Sequence, residues 1–415
     1  MIIGIPTEVK VHEYRVGMVP WGVRQLVEHG HQVVVQQGAG LGSGIKDEAY
    51  QQAGARILSS ADEVWGVADM IIKVKEPLPV EYPRMRENQI VYTYFHLAPV
   101  PELTTAVLER KIIGVAYETI APPGGGLPCL KPMSEVAGRM AIQVAARSLE
   151  KEHGGKGLLL GGVPGVRRAS VTIIGGGVVG TNAAKIALGM GASVTLLDVD
   201  LGRLEYLDHI FQGAVQTVFS NPVSIEENVV QADVVVGAVL IPGAKAPHLV
   251  TRELLRRMEP GSVVVDVAVD QGGCIETCRP TTHEHPTFVE EGVVHYCVAN
   301  MPGAVAHTST LALTNTTLPY GIQIADLGVE GAARRSPAIF SGVNVYKGTL
   351  VYEAVATSQG RTWEPLTLWS FPAALAGPYR PSCSAPDRAR GRVGEDDRFP
   401  APTFLQCAPG PPSRR

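Results

Sequence analysis

Short runs rich in β-branched residues alternate with segments of helical spacing along most of this 415-residue chain. That alternation is typical of parallel α/β sheets. The runs cover residues 2–5, 32–36, 70–74, 90–95 and 112–117, then 171–174, 194–197, 214–219, 234–236, 263–267 and 293–297. A long amphipathic segment from Ser134 to His153 separates the two sets, and Ser134 is placed to cap its start. The fold class predicted is therefore α/β, with two doubly wound parallel-sheet domains.

A glycine fingerprint opens the second set of strands. Residues 171–180 read VTIIGGGVVG, so Gly175, Gly177 and Gly180 form G-x-G-x-x-G directly after a buried strand. These glycines permit a tight turn, close approach of a pyrophosphate, and close packing of helix on strand. The helix N-terminus would face the anion. The pattern predicts that the second domain is a Rossmann domain, and residues 304–326, again helical, would return the chain to the first domain.

An acid follows at the end of the next strand. Asp198 is placed to accept hydrogen bonds from an adenosine ribose, and its charge would repel a 2′-phosphate, which favours NAD over NADP. Arg203 leaves a phosphate-binding fork open as the alternative, although a solvated or Asp-paired arginine fits better. FAD is the remaining rival cofactor, but no second flavin-type motif is visible in the sequence.

Composition excludes several classes of function. The 36 Lys and Arg residues face 40 Asp and Glu residues, no basic stripe is evident, and nucleic acid is not an expected partner. The most apolar stretch, residues 232–241, is too short to span a membrane. Six scattered cysteines do not form a disulfide framework, and no secretory signal is visible. We expect a cytoplasmic protein.

Ionisable residues stand where parallel strands end, the edge that lines ligand crevices in such folds. Lys73 and Lys75 end one apolar run, and Lys75 is better placed to bind a carboxylate or polarise a carbonyl. His96 ends the next run and suits proton transfer. Asp270 occupies the matching place in the second domain, whereas Asp266 within the strand is more naturally a structural acid.

Two further patterns remain. Arg15 lies in the loop after the first strand, where a guanidinium could bind a carboxylate bidentately or simply be a surface group. The spacing C-x3-C-x4-H-x-H of Cys274, Cys278, His283 and His285 matches none of the common structural zinc patterns, so we expect no metal.

Several segments together resemble the alanine dehydrogenases, a family related to the nicotinamide nucleotide transhydrogenase α subunit. They are KVKEP (73–77), TYFHLAP (93–99), KPMSEVAGRMA (131–141), LLLGGVPGV (158–166), the glycine fingerprint, GAVLIPGAKAP (237–247), DQGGC (270–274) and HYCVANMPGAV (295–305). They occur in order with the family's spacing, from Met1 to about Ala356.

The resemblance implies a hexamer in which residues 1–130 and 305–360 form a catalytic domain and residues 131–304 an inserted NAD-binding domain. It implies that Arg15 and Lys75 bind substrate and that His96 and Asp270 are catalytic. For the cofactor it implies Ser134, Gly175, Gly177, Val178, Val179, Gly180, Asp198, Arg203, Ser220, Val239, Leu240, Val267, Ala268, Val269, Asp270, Arg279, Val298, Ala299, Asn300 and Met301. The Pro- and Arg-rich residues 361–415 depart from the family and are expected to form a disordered tail.

The function that the resemblance implies is NAD-dependent oxidative deamination of L-alanine to pyruvate and ammonia, and its reversal. Its partners would be these small molecules and further copies of the chain. Two alternatives stay open at this point. One is a transhydrogenase α-subunit-like protein that exchanges hydride between nucleotides, and the other is an NAD-binding protein without catalytic activity.

Overall fold

The computed structural model describes residues 1–239, 247–269 and 272–368. In chain order its strands are β1 (Ile2–Ile5), β2 (Gln32–Gln36), β3 (Arg56–Leu58), β4 (Met70–Ile72), β5 (Ile90–Thr93), β6 (Ile113–Ala116), β7 (Ser170–Ile174), β8 (Ser193–Asp198), β9 (Gln216–Phe219), β10 (Val234–Gly237), β11 (Val263–Asp266), β12 (Thr287–Glu290), β13 (Val293–Tyr296), β14 (Val343–Tyr346) and β15 (Thr349–Leu350). The helices are α1 (Pro20–Glu28), α2 (Asp47–Gln52), α3 (Ala61–Val67), α4 (Pro101–Glu109), α5 (Lys131–Ser148), α6 (Val178–Gly189), α7 (Leu201–Phe211), α8 (Pro222–Val230), α9 (Arg252–Arg256), α10 (Ala306–Arg335), α11 (Pro337–Gly342) and α12 (Glu353–Gln359).

The strands form two sheets. The first has the order β15-β14-β6-β5-β4-β1-β2-β3, and the second β12-β13-β11-β10-β7-β8-β9. Pairing is parallel throughout except at one edge of each sheet, where β14 runs antiparallel to β6 and to β15, and β12 to β13. Strand order reverses beside β1 in the first sheet and beside β7 in the second, and ligands bind at such switch points in open α/β sheets. The predicted α/β class with two mainly parallel sheets is confirmed.

Two long helices connect the sheets. Buried residues recur every three or four positions along α5, as expected of a helix with one packed face. Its Met133 belongs to the core of the first sheet, whereas Val136 and Met140 belong to the core of the second. Helix α10 packs on α5 and carries the chain back, so that β14 can pair with β6. The first sheet therefore contains both ends of the described chain.

The start of α5 differs from the prediction. Ser134 was expected to cap a helix running to His153, but the helix begins at Lys131 with Leu130 as its cap residue and ends at Ser148. Pro132 explains the earlier start, since proline lacks an N–H and has a fixed φ that suits a first turn. Ser134 consequently lies inside the helix, and the prediction that it caps α5 was wrong.

The edges of the sheets and the end of the described chain also differ from the prediction. Strands β3, β12, β14 and β15 were not predicted. Residues 361–368, assigned to the tail, make ordered contacts: Glu364 N–H donates to the Leu350 carbonyl at 3.0 Å, and Leu368 packs into the first core. The rest of the predicted tail, residues 369–415, lies outside the described residues. Within the described ranges, no helix is long and apolar enough to cross a membrane.

Candidate functional site

The loops that leave neighbouring strands of the first sheet carry its candidate functional side chains. Arg15 follows β1, Lys75 follows β4 and His96 follows β5. These strands are adjacent and parallel, so their carboxyl ends meet at one edge. The sequence predicts this edge for Lys75 and His96 and the loop after the first strand for Arg15, and the structure places all three residues here.

Arg15 is buried, with only 2% of its surface exposed. Its Nε donates to Glu13 Oε1 at 2.7 Å and its Nη2 to Glu13 Oε2 at 2.5 Å, a bidentate pair. Burial alone would raise the pKa of Glu13, but the hydrogen bond and charge of Arg15 hold that pKa below its usual value. The surface alternative for Arg15 is therefore wrong, and its guanidinium is held in one plane.

Asn300 joins this pair from the second sheet. Arg15 Nη2 donates to Asn300 Oδ1 at 2.6 Å, and Asn300 Nδ2 donates to Glu13 Oε2 at 2.9 Å. Asn300 follows β13 and has a φ of 67°, a left-handed conformation that asparagine tolerates better than most residues. A residue predicted for the cofactor thus contacts the arginine predicted for the substrate, and the carboxyl edges of the two sheets meet at this point.

The two lysines after β4 have different environments. Lys73 is fully buried, with its Nζ 2.8 Å from Glu81 Oε1 and 3.3 Å from Glu8 Oε2. The Lys75 ammonium has no hydrogen bond or ion pair to the described residues. Burial lowers the pKa of Lys75, and the positive charge of Arg15 lowers it further. A cation without a partner beside a second cation is suited to binding an anion such as a carboxylate.

His96 is held by two carboxylates. Its backbone N–H donates to Glu118 Oε1 at 2.7 Å and supports a left-handed φ of 48°. Its Nδ1 lies 3.5 Å from Glu76 Oε2, and its ring packs beside Tyr94 at a centroid distance of 5.8 Å. The imidazole is half-buried, so it can exchange protons with a bound molecule.

The glycine-rich turn has the geometry that its sequence predicts. Gly175 has a φ of 103°, and a Cβ at Gly180 would collide with the Gly175 carbonyl oxygen. A Cβ at Gly177 would meet nothing within 4 Å, and no side chain caps the start of α6. Open space in front of an uncapped helix N-terminus fits a pyrophosphate.

Asp198 and Arg203 brace the turn. Asp198 Oδ2 accepts from Gly176 N–H at 2.6 Å, and Arg203 Nε donates to the Gly176 carbonyl at 2.6 Å. Arg203 Nη2 also donates to Thr181 Oγ1 at 2.7 Å. The expectation that Arg203 is solvated or paired with an aspartate was wrong. Because its guanidinium is engaged with the turn, the phosphate-fork alternative loses support.

Most other predicted cofactor residues follow the parallel strands of the second sheet. The residues that follow β9, β10, β11 and β13 are Ser220, Val239, Val267, Ala268, Val269, Val298, Ala299 and Met301. Ser134 lies on α5, which packs against α6, where Val178 and Val179 form the first turn. Arg279 differs, because its guanidinium stacks 3.8 Å from the Phe288 ring and donates to Glu290 on β12. Leu240 and Asp270 lie outside the described residues.

Known proteins match this chain along most of its length. Family models described as "Alanine dehydrogenase/PNT, N-terminal domain" and "Alanine dehydrogenase/PNT, C-terminal domain" match residues 4–137 and 141–353. The chain belongs to the alanine dehydrogenase/PNT family. Alanine dehydrogenase from Methanococcus maripaludis is 57% identical over 366 residues, covering 88% of this chain and 98% of that protein. The Bacillus subtilis alanine dehydrogenase is 55% identical, covering 88% and 96%.

Solved structures of the alanine dehydrogenase/PNT family give the same result. An L-alanine dehydrogenase superposes with a TM-score of 0.85 at 49% identity, covering 87% of this chain and 99% of that one. A transhydrogenase from Sinorhizobium meliloti reaches a TM-score of 0.73 at 28% identity, covering 85% and 100%. The chain is therefore more similar to these alanine dehydrogenases than to this transhydrogenase.

The cysteine and histidine cluster of this family member does not resemble a metal centre. Cys274 is buried, and its N–H donates to Asp266 Oδ2 at 2.9 Å. Burial raises the pKa of the Cys274 thiol, which opposes the thiolate that a metal requires. His283 Nε2 is engaged with the Asn300 carbonyl at 3.2 Å. Among the described residues, no three His, Cys, Asp or Glu side chains are arranged to hold a metal ion.

Sequence reasoning missed the acids that hold the site in this family member. Glu13, Glu76 and Glu118 contact Arg15, the His96 ring and the His96 backbone. Glu13 and Glu76 stand within two residues of Arg15 and Lys75, and that proximity was the available signal. Glu118 had no such signal, because its contact depends on how β5 and β6 pair.

Proposed function

We propose that this chain is an NAD-dependent L-alanine dehydrogenase that interconverts L-alanine with pyruvate and ammonia. The observation that carries the proposal is the half-buried Lys75 ammonium, free of partners among the described residues, beside Arg15 and close to the His96–Glu76 pair. Two cations and an imidazole at the carboxyl edge of the first sheet suit a small carboxylate substrate that undergoes proton transfer. At the second sheet, the uncapped start of α6 with open space at Gly177 supports the binding of a dinucleotide.

Arg15 would anchor the substrate carboxylate. Its Nε and Nη2 are used by Glu13 and Asn300, whereas Nη1 contacts, within the described part of the chain, only the weak acceptor Met133 Sδ at 3.1 Å. Nη1 is thus the edge with donors left for a ligand. Lys75 would polarise the pyruvate carbonyl in the reverse reaction.

His96 would move the protons. In oxidation, Cα of alanine loses its hydrogen as a hydride and water adds to the resulting iminium carbon. His96 takes a proton from that water, and a proton is passed to nitrogen. As the C–N bond breaks and ammonia leaves, the hydroxyl group gives up its remaining proton to His96 and becomes the pyruvate carbonyl. Asp270, whose role rests on the family resemblance alone, would stabilise positive charge on His96 or the iminium.

NAD would be held by the glycine turn, Asp198 and the residues that follow β9, β10, β11 and β13. When bound, it supplies a hydride acceptor. The chain's own contribution is to orient the substrate next to the cofactor. Asp198 supports NAD over NADP because a carboxylate repels a 2′-phosphate. We also propose the hexameric assembly that the resemblance implies and the cytoplasmic location expected from the composition. Light scattering of the purified protein tests the hexamer.

The deciding experiment mixes purified protein with L-alanine and NAD and follows absorbance at 340 nm. Growth of NADH that requires both reactants supports the proposal, and binding of NAD without turnover contradicts it in favour of a non-catalytic protein. Hydride exchange between nucleotides without alanine would instead support the transhydrogenase alternative, which the comparisons do not favour. His96→Ala should lower kcat about 100-fold or more while NAD affinity stays near that of the wild type.

A further inference from the structure

We propose that Glu76 is a positioning residue for His96, holding the imidazole so that Nε2 is the nitrogen that exchanges protons with the substrate. This inference rests on the proposed function and adds to it the residue that acts through His96. The contact behind it joins Glu76 Oε2 to His96 Nδ1 at 3.5 Å. Catalytic hydrogen bonds are often this long before substrate binds and then tighten.

Glu76 has one oxygen anchored and one aimed at the ring. Oε1 accepts from Lys10 Nζ at 2.5 Å. Oε2 is buried and has no hydrogen-bond partner among the described residues. A buried carboxylate oxygen without a partner is unfavourable, and the imidazole N–H is the donor within reach. The carboxylate is therefore preorganised to accept a hydrogen bond from Nδ1–H of His96.

The carboxylate stays ionised at neutral pH. Burial would raise the pKa of Glu76, but the neighbouring His96 ring and its charge, followed by the charges of Lys75 and Lys10, hold that pKa well below its usual range. A carboxylate on Nδ1 selects the tautomer with its lone pair on Nε2. The same anion stabilises the imidazolium that forms when Nε2 accepts a proton.

The His96 backbone is fixed independently, which leaves the ring as the part that Glu76 controls. The His96 N–H bonds to Glu118, and its left-handed φ restricts the main chain. Tyr94 lies beside the ring. Among the described residues, the charged groups facing Glu76 are His96, Lys10 and Lys75, and those facing His96 are Glu76 at the ring and Glu118 at the backbone. Removal of Glu76 should therefore loosen the ring without moving its strand.

The test replaces Glu76 in the full chain and measures alanine oxidation. Glu76→Gln keeps the size and removes the charge, and we expect kcat to fall about 10-fold to 100-fold with little change in KM for NAD. The acid limb of the kcat/KM profile should move to lower pH, because the protonated imidazole loses its counter-charge. Glu76→Asp keeps the charge and should recover part of the lost kcat.

A double-mutant cycle separates positioning from general structural support. In a His96→Ala background, Glu76→Gln should change kcat by less than about twofold, since the side chain through which it acts is gone. Glu87→Gln is the matched control: it makes the same change on an exposed acid in the turn before β5, 3.7 Å from Lys111, and should keep wild-type kinetics.

The outcomes distinguish failure of the proposed function from failure of the role proposed for Glu76. A wild-type chain that forms no NADH overturns the proposed function. An active wild type with an unchanged Glu76→Gln variant overturns the role of Glu76, as does an equal loss in both backgrounds. If Glu76→Gln loses its cooperative thermal transition, Glu76→Asp decides, because a positioning role requires kcat to fall while KM for NAD holds.

Discussion

At the residue scale, burial separates two lysines that the sequence places side by side. Both Lys73 and Lys75 end the same apolar run, and the sequence favoured Lys75 only because it stands nearer the carboxyl end of the strand. The structure gives the physical reason. Lys73 enters the interior with Glu8 and Glu81 as counter-charges, whereas Lys75 remains near Arg15 and its ammonium has no partner among the residues that the structure describes. A buried charge with partners is structural, and a desolvated charge without them is available to a ligand.

Substitution of Lys75 should therefore affect substrate binding, whereas substitution of Lys73 should affect stability. Lys75→Met should raise KM for pyruvate at least about 10-fold and leave the melting temperature nearly unchanged. Lys73→Met should destabilise the protein by about 3–5 kcal/mol, since it leaves Glu8 and Glu81 buried without a counter-charge. Kinetics and denaturant unfolding of both variants check this. Equal effects on KM would show that the two lysines do not differ in role.

The pH dependence of pyruvate binding should follow Lys75. Its pKa lies below that of an ordinary lysine because burial disfavours the charged form, so the ammonium is lost at a lower pH than usual. Pyruvate affinity in the presence of NADH should weaken as the pH rises through that lowered pKa, and stay constant below it. Lys75→Met serves as the control, and an alkaline loss of affinity that persists in this variant would exclude Lys75 as its origin.

At the element scale, the turn between β7 and α6 could be predicted because local sterics require glycine at two of its positions. Gly175 supplies a positive φ and Gly180 a close contact, both visible in the structure. The approach of a pyrophosphate to Gly177 stays a prediction. Edge strands such as β3 and β15 were missed because they contain two or three residues, too few for a periodic signal. The end of α10 was also missed, since it continues beyond a non-helical Gly328 to Arg335.

Three alanine substitutions around α6 should separate cofactor binding from packing. Gly177→Ala meets no neighbour and should keep the fold while weakening NAD binding about 10-fold or more, because its methyl occupies the space in front of the helix. Gly180→Ala should destabilise the protein, since its methyl collides with the Gly175 carbonyl.

Gly189→Ala is the control at the other end of the same helix. It also meets no neighbour and should keep NAD affinity and raise stability by up to about 1 kcal/mol. NAD titration and thermal unfolding of all three variants give the result. Normal NAD affinity in Gly177→Ala would remove the pyrophosphate from this turn.

At the scale of the whole molecule, the contact between the two sheets was beyond sequence reasoning. Only the family resemblance points to Asn300, whereas the sequence itself places Arg15 in the loop after the first strand. It contained no local signal that these two residues, 285 positions apart, share Glu13. The pairing depends on how α5 and α10 place one sheet against the other, and such long-range geometry leaves no periodic trace in a single sequence. The substrate-binding arginine is consequently held by both halves of the molecule.

Two substitutions at Asn300 test whether this coupling matters for function. Both Asn300→Gly and Asn300→Ala remove the hydrogen bonds to Arg15 and Glu13, and only alanine also places a Cβ in a left-handed backbone conformation. We expect a similar rise in KM for pyruvate, about 10-fold, in both variants, because each frees the Arg15 guanidinium from its second anchor. The alanine variant should in addition be less stable than the glycine variant by about 1 kcal/mol. If glycine restores wild-type KM, the backbone conformation and not the amide bridge sets the position of Arg15. Wild-type KM in both variants would instead show that Glu13 alone suffices to hold the guanidinium.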